Sequence, residues 1–184
     1  GRHHWQNKQA GQHASSWMKE FIPFVDLLKA NGYHTGFTGK GVDPFRYAQN
    51  EKDSLWRKEN AAGHAYNKYR YTKNDSSDPR TAGGIGLIDY FSNFHDFMQQ
   101  RKPDQPFYFW YGSTEPHRAY EKGSWKRNGK ELVQVDVPGF FPDTDEIKGD
   151  MLDYAVEIEW ADSHLYKMLN YLDSIGELDN TVVM

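Results

Sequence analysis

Two short β-favouring runs, HTGFTG at 34–39 and FYFWYG at 107–112, each come directly after an amphipathic helical pattern, and this order limits the fold more than any other feature. Strands that alternate with helices pair in parallel, because the crossover returns the chain to the same end of the sheet. The first helix is read from FIPFVDLLKANG, where Phe21, Phe24, Val25 and Leu28 keep helical spacing, Pro23 suits a first turn and Gly32 stops it. The second is LIDYFSNFHDFMQQR, with Ile88, Phe91, Phe94, Phe97 and Met98 on one face and His95 between them as a solvent-facing or capping residue. A long third helix starts at a capping box of Asp143 and Glu146. It continues through Ile147, Met151, Tyr154, Ala155, Ile158, Ala161, Leu165, Met168, Leu169 and Leu172, and Gly176 ends it. FYFWYG, apolar throughout, reads as a central parallel strand, and ELDNTVVM as the start of another. The class expected is α/β, a mainly parallel (mixed) sheet flanked by helices.

From Gly41 to about Gly86 the periodicity is lost, and the residues that break structure are mixed with scattered aromatics. A stretch of that length within one domain is more often a functional loop layer than a linker, and it is read as such here. At 184 residues the chain suits a single domain. With 22 basic against 26 acidic residues and no Lys/Arg block longer than two, nothing points to nucleic acid or to a polybasic membrane contact. No apolar run reaches the length of a membrane span. Aromatics make up 16% of the chain, which fits two readings, aromatic-rich packing or rings lining a sugar site; Trp56, Tyr66, Tyr69, Tyr71 and Trp125 are candidates for the latter. The absence of cysteine excludes disulfides, thiolate catalysis and Cys-bound zinc within the chain.

Ligands of open α/β sheets bind beyond the carboxyl ends of the strands. That rule selects Lys40 after HTGFTG and His117 in the loop after FYFWYG. An ammonium and an imidazole meeting at one pocket can hold a tetrahedral oxyanion, and each stabilises charge that develops in sulfuryl or phosphoryl transfer.

Three blocks in order along the chain resemble the sulfatase family of the alkaline-phosphatase superfamily. FVDLLKANGYHTGFTGKG is similar to the segment that delivers a sulfate-binding lysine, and PFYFWYGSTEPHRAY to the strand and D-P-H-R-P-Y loop whose histidine contacts the sulfate. The segment from VPGFFPD to LDNTVVM resembles the family's long helix, turn and following strand. The W-Y-G-x-x-E-P-H-R wording is nearest to the heparan N-sulfatase group. The resemblance implies hydrolysis of a sulfate ester or sulfamate on a sulfated carbohydrate. In that reading Lys40 and His117 are catalytic, with His117 as general acid to the leaving group. Arg118 binds substrate or, equally, packs on Tyr120 or pairs with Glu115, and His64 is a solvated loop residue. The resemblance also implies an extracytoplasmic location, periplasmic or lysosomal.

Two departures bear on that reading. Val42 stands where many sulfatases carry a histidine, and the C/S-x-P/A-x-R motif that yields formylglycine is missing, as are the aspartate and Asp-Asn pairs that bind calcium. Residues 1–184 therefore read as the central part of a sulfatase catalytic domain, holding neither calcium nor formylglycine and inactive alone. Two alternatives carry different expectations: a phosphodiesterase or phosphotransferase of the same superfamily, with a Thr or Ser nucleophile and further metal ligands, or a non-catalytic carbohydrate-binding relative.

Overall fold

The computed structural model describes residues 3–11, 14–43, 45–48, 52, 55–73 and 75–184, which fall into two compact units. The first comprises Gly1–Lys68 and Ser92–Gly112, the second Tyr69–Phe91 and Ser113–Met184. The fold is α/β, with a parallel sheet and flanking helices.

In the first unit, helix α1 spans Phe24–Ala30 and Pro23 occupies its N-cap. Gly32, at φ +87°, provides the left-handed turn that carries the chain into strand β1, His34–Gly39. A two-residue strand β2, His64–Ala65, pairs in parallel with β1 on one side, and β3, Phe107–Gly112, pairs in parallel on the other. The order β2-β1-β3 corrects one expectation: β1 is the central strand. The apolar run of β3 pairs with β1 alone among the described residues, and its Trp110 is 38% exposed. The shortness of β2 hid it within the irregular stretch, since two residues carry no periodicity.

Helix α2, Tyr90–Gln100, contributes Phe94, Phe97 and Met98 to the buried core of this unit. Phe97 and the buried Tyr66 press on the sheet at Gly36, where a Cβ would come within 2.9 Å of Phe97 and 2.7 Å of Tyr66, so only glycine lets both rings seat. Arg57, nearly buried in the loop layer, forms a two-pronged ion pair with Asp26 of α1 at 2.6 and 2.8 Å. The planar guanidinium matches a carboxylate edge and ties the loops to the helix.

The second unit is built on helix α4, Asp145–Ser174. Its N-cap is Thr144, whose hydroxyl accepts from the Ile147 amide at 3.4 Å, not Asp143, which instead pairs with Lys148 at 2.8 Å. The buried face also differs from the one expected. Met168 and Leu172 are buried, but Tyr154 and Ile158 are 42% and 40% exposed, and Leu152, Asp153, Val156, Glu157, Trp160 and His164 lie inside in their place. Val156 and Trp160 pack with Ala82 and Ile85, with Tyr71 and Trp125 against them. Asp153 accepts from Gly123 N, Ser124 Oγ and Trp125 N at 2.8–2.9 Å, and so caps the short helix α3, Ser124–Arg127. His164 Nδ1 accepts from the Phe91 amide at 3.2 Å in the first turn of α2, and the ring is enclosed by Tyr71, Tyr90 and Trp160. Polar partners at the starts of α3 and α2 thus hold Asp153 and His164 facing inward, and Glu157 is buried beside them.

After α4, Gly176 takes φ +71° and Leu178–Asn180 form a 3-10 turn. The strand expected at TVVM is not formed: no partner strand pairs with it among the described residues, and Val182 and Met184 are exposed.

Candidate active site

Lys40 follows directly on β1, and the backbone around it is held from both sides of that strand. Gly39 and Gly112 are register partners, and the Lys40 amide donates to the Gly112 carbonyl at 2.6 Å. A Cβ at residue 112 would overlap the Lys40 carbonyl oxygen, which makes glycine obligatory there. On the β2 side the Asn67 carboxamide takes over where that strand ends. Its Oδ1 accepts from Gly39 N at 2.7 Å and Thr38 Oγ1 at 3.1 Å, and its Nδ2 donates to Gly39 O at 3.2 Å. Asn60 Oδ1 then accepts from Val42 N and Ala62 N, both at 2.9 Å. The Lys40 side chain itself is exposed, with no ion-pair or hydrogen-bond partner among the described residues. Val42 contributes its backbone only, so position 42 offers no side-chain donor.

His117 lies in the second unit, on the loop entered from β3. Glu115, 7% exposed, anchors that loop. It accepts from Tyr90 Oη at 2.6 Å, Gly86 N at 2.7 Å, Ser113 Oγ at 2.8 Å and Thr114 Oγ1 at 3.2 Å. Burial pushes its carboxyl up, and these donors more than offset that, leaving it below the ordinary glutamate value. Tyr120 Oη donates to Pro116 O at 3.1 Å, and the His117 amide to Thr114 O at 3.0 Å. The imidazole is exposed, with Nδ1 against the Arg118 carbonyl. A carbonyl can only accept, so this contact assigns the hydrogen to Nδ1 and leaves Nε2 as the outward atom. Neutral, Nε2 accepts; protonated, it donates.

Arg118 is engaged within its own unit. Its guanidinium meets the Asp150 carboxylate, with the NH1 contact at 2.8 Å, and lies 4.6 Å from the Tyr120 ring centroid. The Tyr120 packing anticipated from the sequence is present, while the ionic partner is Asp150 and not Glu115, whose oxygens are already occupied. Lys40 belongs to the first unit and His117 to the second.

Sequence reasoning missed Asn60, Asn67 and Glu157. Glu157 is 1% exposed, its Oε1 has no hydrogen-bond partner among the described residues, and burial, then the charge of Glu115, push it up to about 7, with His117 acting in the opposite sense. Of the five rings considered for sugar stacking, Tyr66, Tyr71 and Trp125 pack in the cores. Trp56 and Tyr69 remain exposed, Trp56 with its Nε1 donating to Trp17 O at 2.6 Å. His64 is exposed on β2, edge-on to Tyr66.

In an α/β sheet, ligands bind beyond the carboxyl ends of the strands, where the braced loops carrying Lys40 and His117 begin. A family model described as Sulfatase matches residues 3–184, and the chain belongs to the sulfatase family, whose members hydrolyse sulfated substrates. No curated protein matches the chain. The family generally depends on calcium and formylglycine. Among the described residues no cluster of three or more His, Cys, Asp or Glu is present, and no C/S-x-P/A-x-R motif occurs in residues 1–184. The buried carboxylates of Glu115 and Asp153 are filled by protein donors, whereas calcium takes six to eight oxygen ligands. No helix among the described residues is long and apolar enough to cross a membrane.

Proposed function

We propose that the chain supplies the sulfate-binding side chains of a sulfatase of the heparan N-sulfatase type, acting outside the cytoplasm on an O- or N-sulfated carbohydrate. Lys40 neutralises non-bridging sulfate oxygens as a compact charge, and His117 donates from Nε2 to the leaving oxygen or nitrogen as general acid. Arg118 reaches a substrate sulfate or carboxylate by exchanging Asp150 for it. The observation that carries this reading is the register pairing of Gly39 with Gly112: the strand ends that precede Lys40 and the His117 loop are neighbours in one parallel sheet. The chain alone binds without turnover, since it has no residue in a formylglycine motif.

The test is a sulfate titration of the chain followed by NMR at the Lys40 and His117 side chains, with an N-sulfated glycosaminoglycan disaccharide and its desulfated form as competitors. Lys40→Met and His117→Ala are each expected to weaken sulfate binding about tenfold, the scale of one charged hydrogen bond. The sulfated disaccharide should compete and the desulfated one should not. Sulfate affinity unchanged in both variants sinks the reading. Equal binding of the desulfated sugar would favour a non-catalytic carbohydrate-binding relative, and preference for an aryl phosphodiester would favour the phosphodiesterase branch.

A further inference from the structure

One face of α4 carries an exposed aromatic ring beside an ion pair, and the core of the second unit uses neither. Tyr154 is 42% exposed, and its one ring partner among the described residues is Tyr120, at 5.7 Å between centroids. Asp150 lies one turn earlier on the same face and pairs with both terminal nitrogens of the Arg118 guanidinium, NH1 at 2.8 Å. That guanidinium lies 4.6 Å from the Tyr120 centroid, so Tyr120 touches both the cation and Tyr154. Tyr120 is itself fixed by its hydroxyl, which donates to Pro116 O at 3.1 Å. We propose that this face is a sugar subsite: Tyr154 carries the apolar face of a pyranose, and an anionic group on that sugar displaces Asp150 from Arg118. This rests on the reading of Arg118 as a substrate residue.

A pyranose presents C–H bonds on its faces and hydroxyls around its rim, so an aromatic ring takes the face and a polar fork takes the rim. Ile158, 40% exposed one turn beyond Tyr154, extends the apolar strip that the sugar face would cover. Arg118 is the fork, planar, always charged and matched to the paired oxygens of a carboxylate or sulfate. In the free chain Asp150 fills it, and its bond to Arg118 holds the carboxyl below the ordinary aspartate value, so the pair is closed at neutral pH. Both partners are open to solvent, with side-chain exposures of 62% and 46%, which keeps the pair weak enough for another anion to replace Asp150. The nearby acids on α4 do not compete for Arg118: Asp153 is occupied by the start of α3, and Glu157 is buried. A neutral sugar brings nothing to take the place of Asp150. Asp150 is therefore a resident competitor that selects for anionic sugars, and removing its charge should tighten binding.

The experiment titrates the 184-residue chain calorimetrically with the N-sulfated glycosaminoglycan disaccharide and, separately, with inorganic sulfate. Asp150→Asn is expected to tighten the disaccharide roughly two- to fivefold, the size of one exposed ion pair, and to give no gain when Arg118→Gln is also present. Tyr154→Ala is expected to weaken the disaccharide roughly two- to tenfold more than it weakens inorganic sulfate, the range of an aromatic contact, and Tyr154→Phe to keep the wild-type affinity. A pair that only ties the loop to α4 would lower the urea midpoint of Asp150→Asn without tightening the disaccharide, and that result overturns the proposal. Should D150N fail to fold, Tyr154→Ala decides: selective loss of the disaccharide supports the subsite, and wild-type affinity overturns it. A disaccharide that does not bind the wild-type chain overturns it as well. Lys40→Met separates the two ideas. Sulfate affinity lost in that variant, with the Asp150 and Tyr154 variants silent, sinks this inference alone. Sulfate affinity unchanged in Lys40→Met and His117→Ala, with the Asp150 and Tyr154 responses present, sinks the roles proposed for Lys40 and His117 and leaves the subsite standing.

Discussion

Gly112 has no room for any other residue, and the reason lies in the turn it braces. A Cβ there would overlap the Lys40 carbonyl oxygen, so the alanine methyl of Gly112→Ala must push β1 and β3 apart at their paired ends. The expected cost is about 3 kcal/mol or more in a urea unfolding series, the range of forced overpacking against backbone. Gly139→Ala, with nothing within 4 Å, should change stability by less than about 0.5 kcal/mol and serves as the control. Asn67 tests the other side of the same turn. Asn67→Ala removes three hydrogen bonds that continue the sheet past β2, at about 2 kcal/mol in all, and should also weaken sulfate binding by loosening the backbone on which Lys40 stands.

At the scale of elements, α4 shows what a sequence pattern can and cannot give. The apolar stripe through Tyr154 and Ile158 has good helical spacing, yet the packed face is the neighbouring one that carries Val156 and Trp160. Truncating Trp160 to Ala should therefore cost about 3–5 kcal/mol by thermal or urea unfolding, while Ile158→Ala should cost under about 1 kcal/mol; the reverse ranking would mean that the stripe is the core. The pattern failed here because Asp153 and His164 are drawn inward by amides of α3 and α2, and such partners lie some 30 to 70 residues away in sequence. The same distinction separates the legible part of the candidate site from the rest. The placement of Lys40 and His117 after strands is readable because position after a strand is local information. Asn60, Asn67 and Glu157 act only once the chain closes on itself, so neither spacing nor residue type singles them out. The β3 run was legible as a strand but not as one that pairs with β1 alone among the described residues, since hydrophobicity reports burial by something and not by which neighbour.

For the whole molecule, pH sets two buried groups of the second unit against each other. Burial pushes Glu157 up to about 7 from 4.5, so the folded state favours its neutral form; the stability this gives is complete below pH 4.5 and is lost as pH rises through 7. Burial first, with Lys167 adding to it, pushes His164 down to about 4 from 6.5. Its contribution is complete above pH 6.5 and is lost as pH falls toward 4. Between pH 4.5 and 6.5 the two slopes have opposite sign and partly cancel, and above that window only the Glu157 loss continues. Glu157→Gln removes one slope and keeps the side-chain shape. Its urea midpoint should rise steadily from about pH 4 to about pH 6.5 as His164 deprotonates in the unfolded chain, then level off, and it should exceed the wild type most clearly above about pH 7. A variant curve parallel to the wild-type curve across that range would mean that Glu157 titrates in the fold as it does in the unfolded chain, and the buried carboxyl beside Gly84 would then have to find a partner elsewhere.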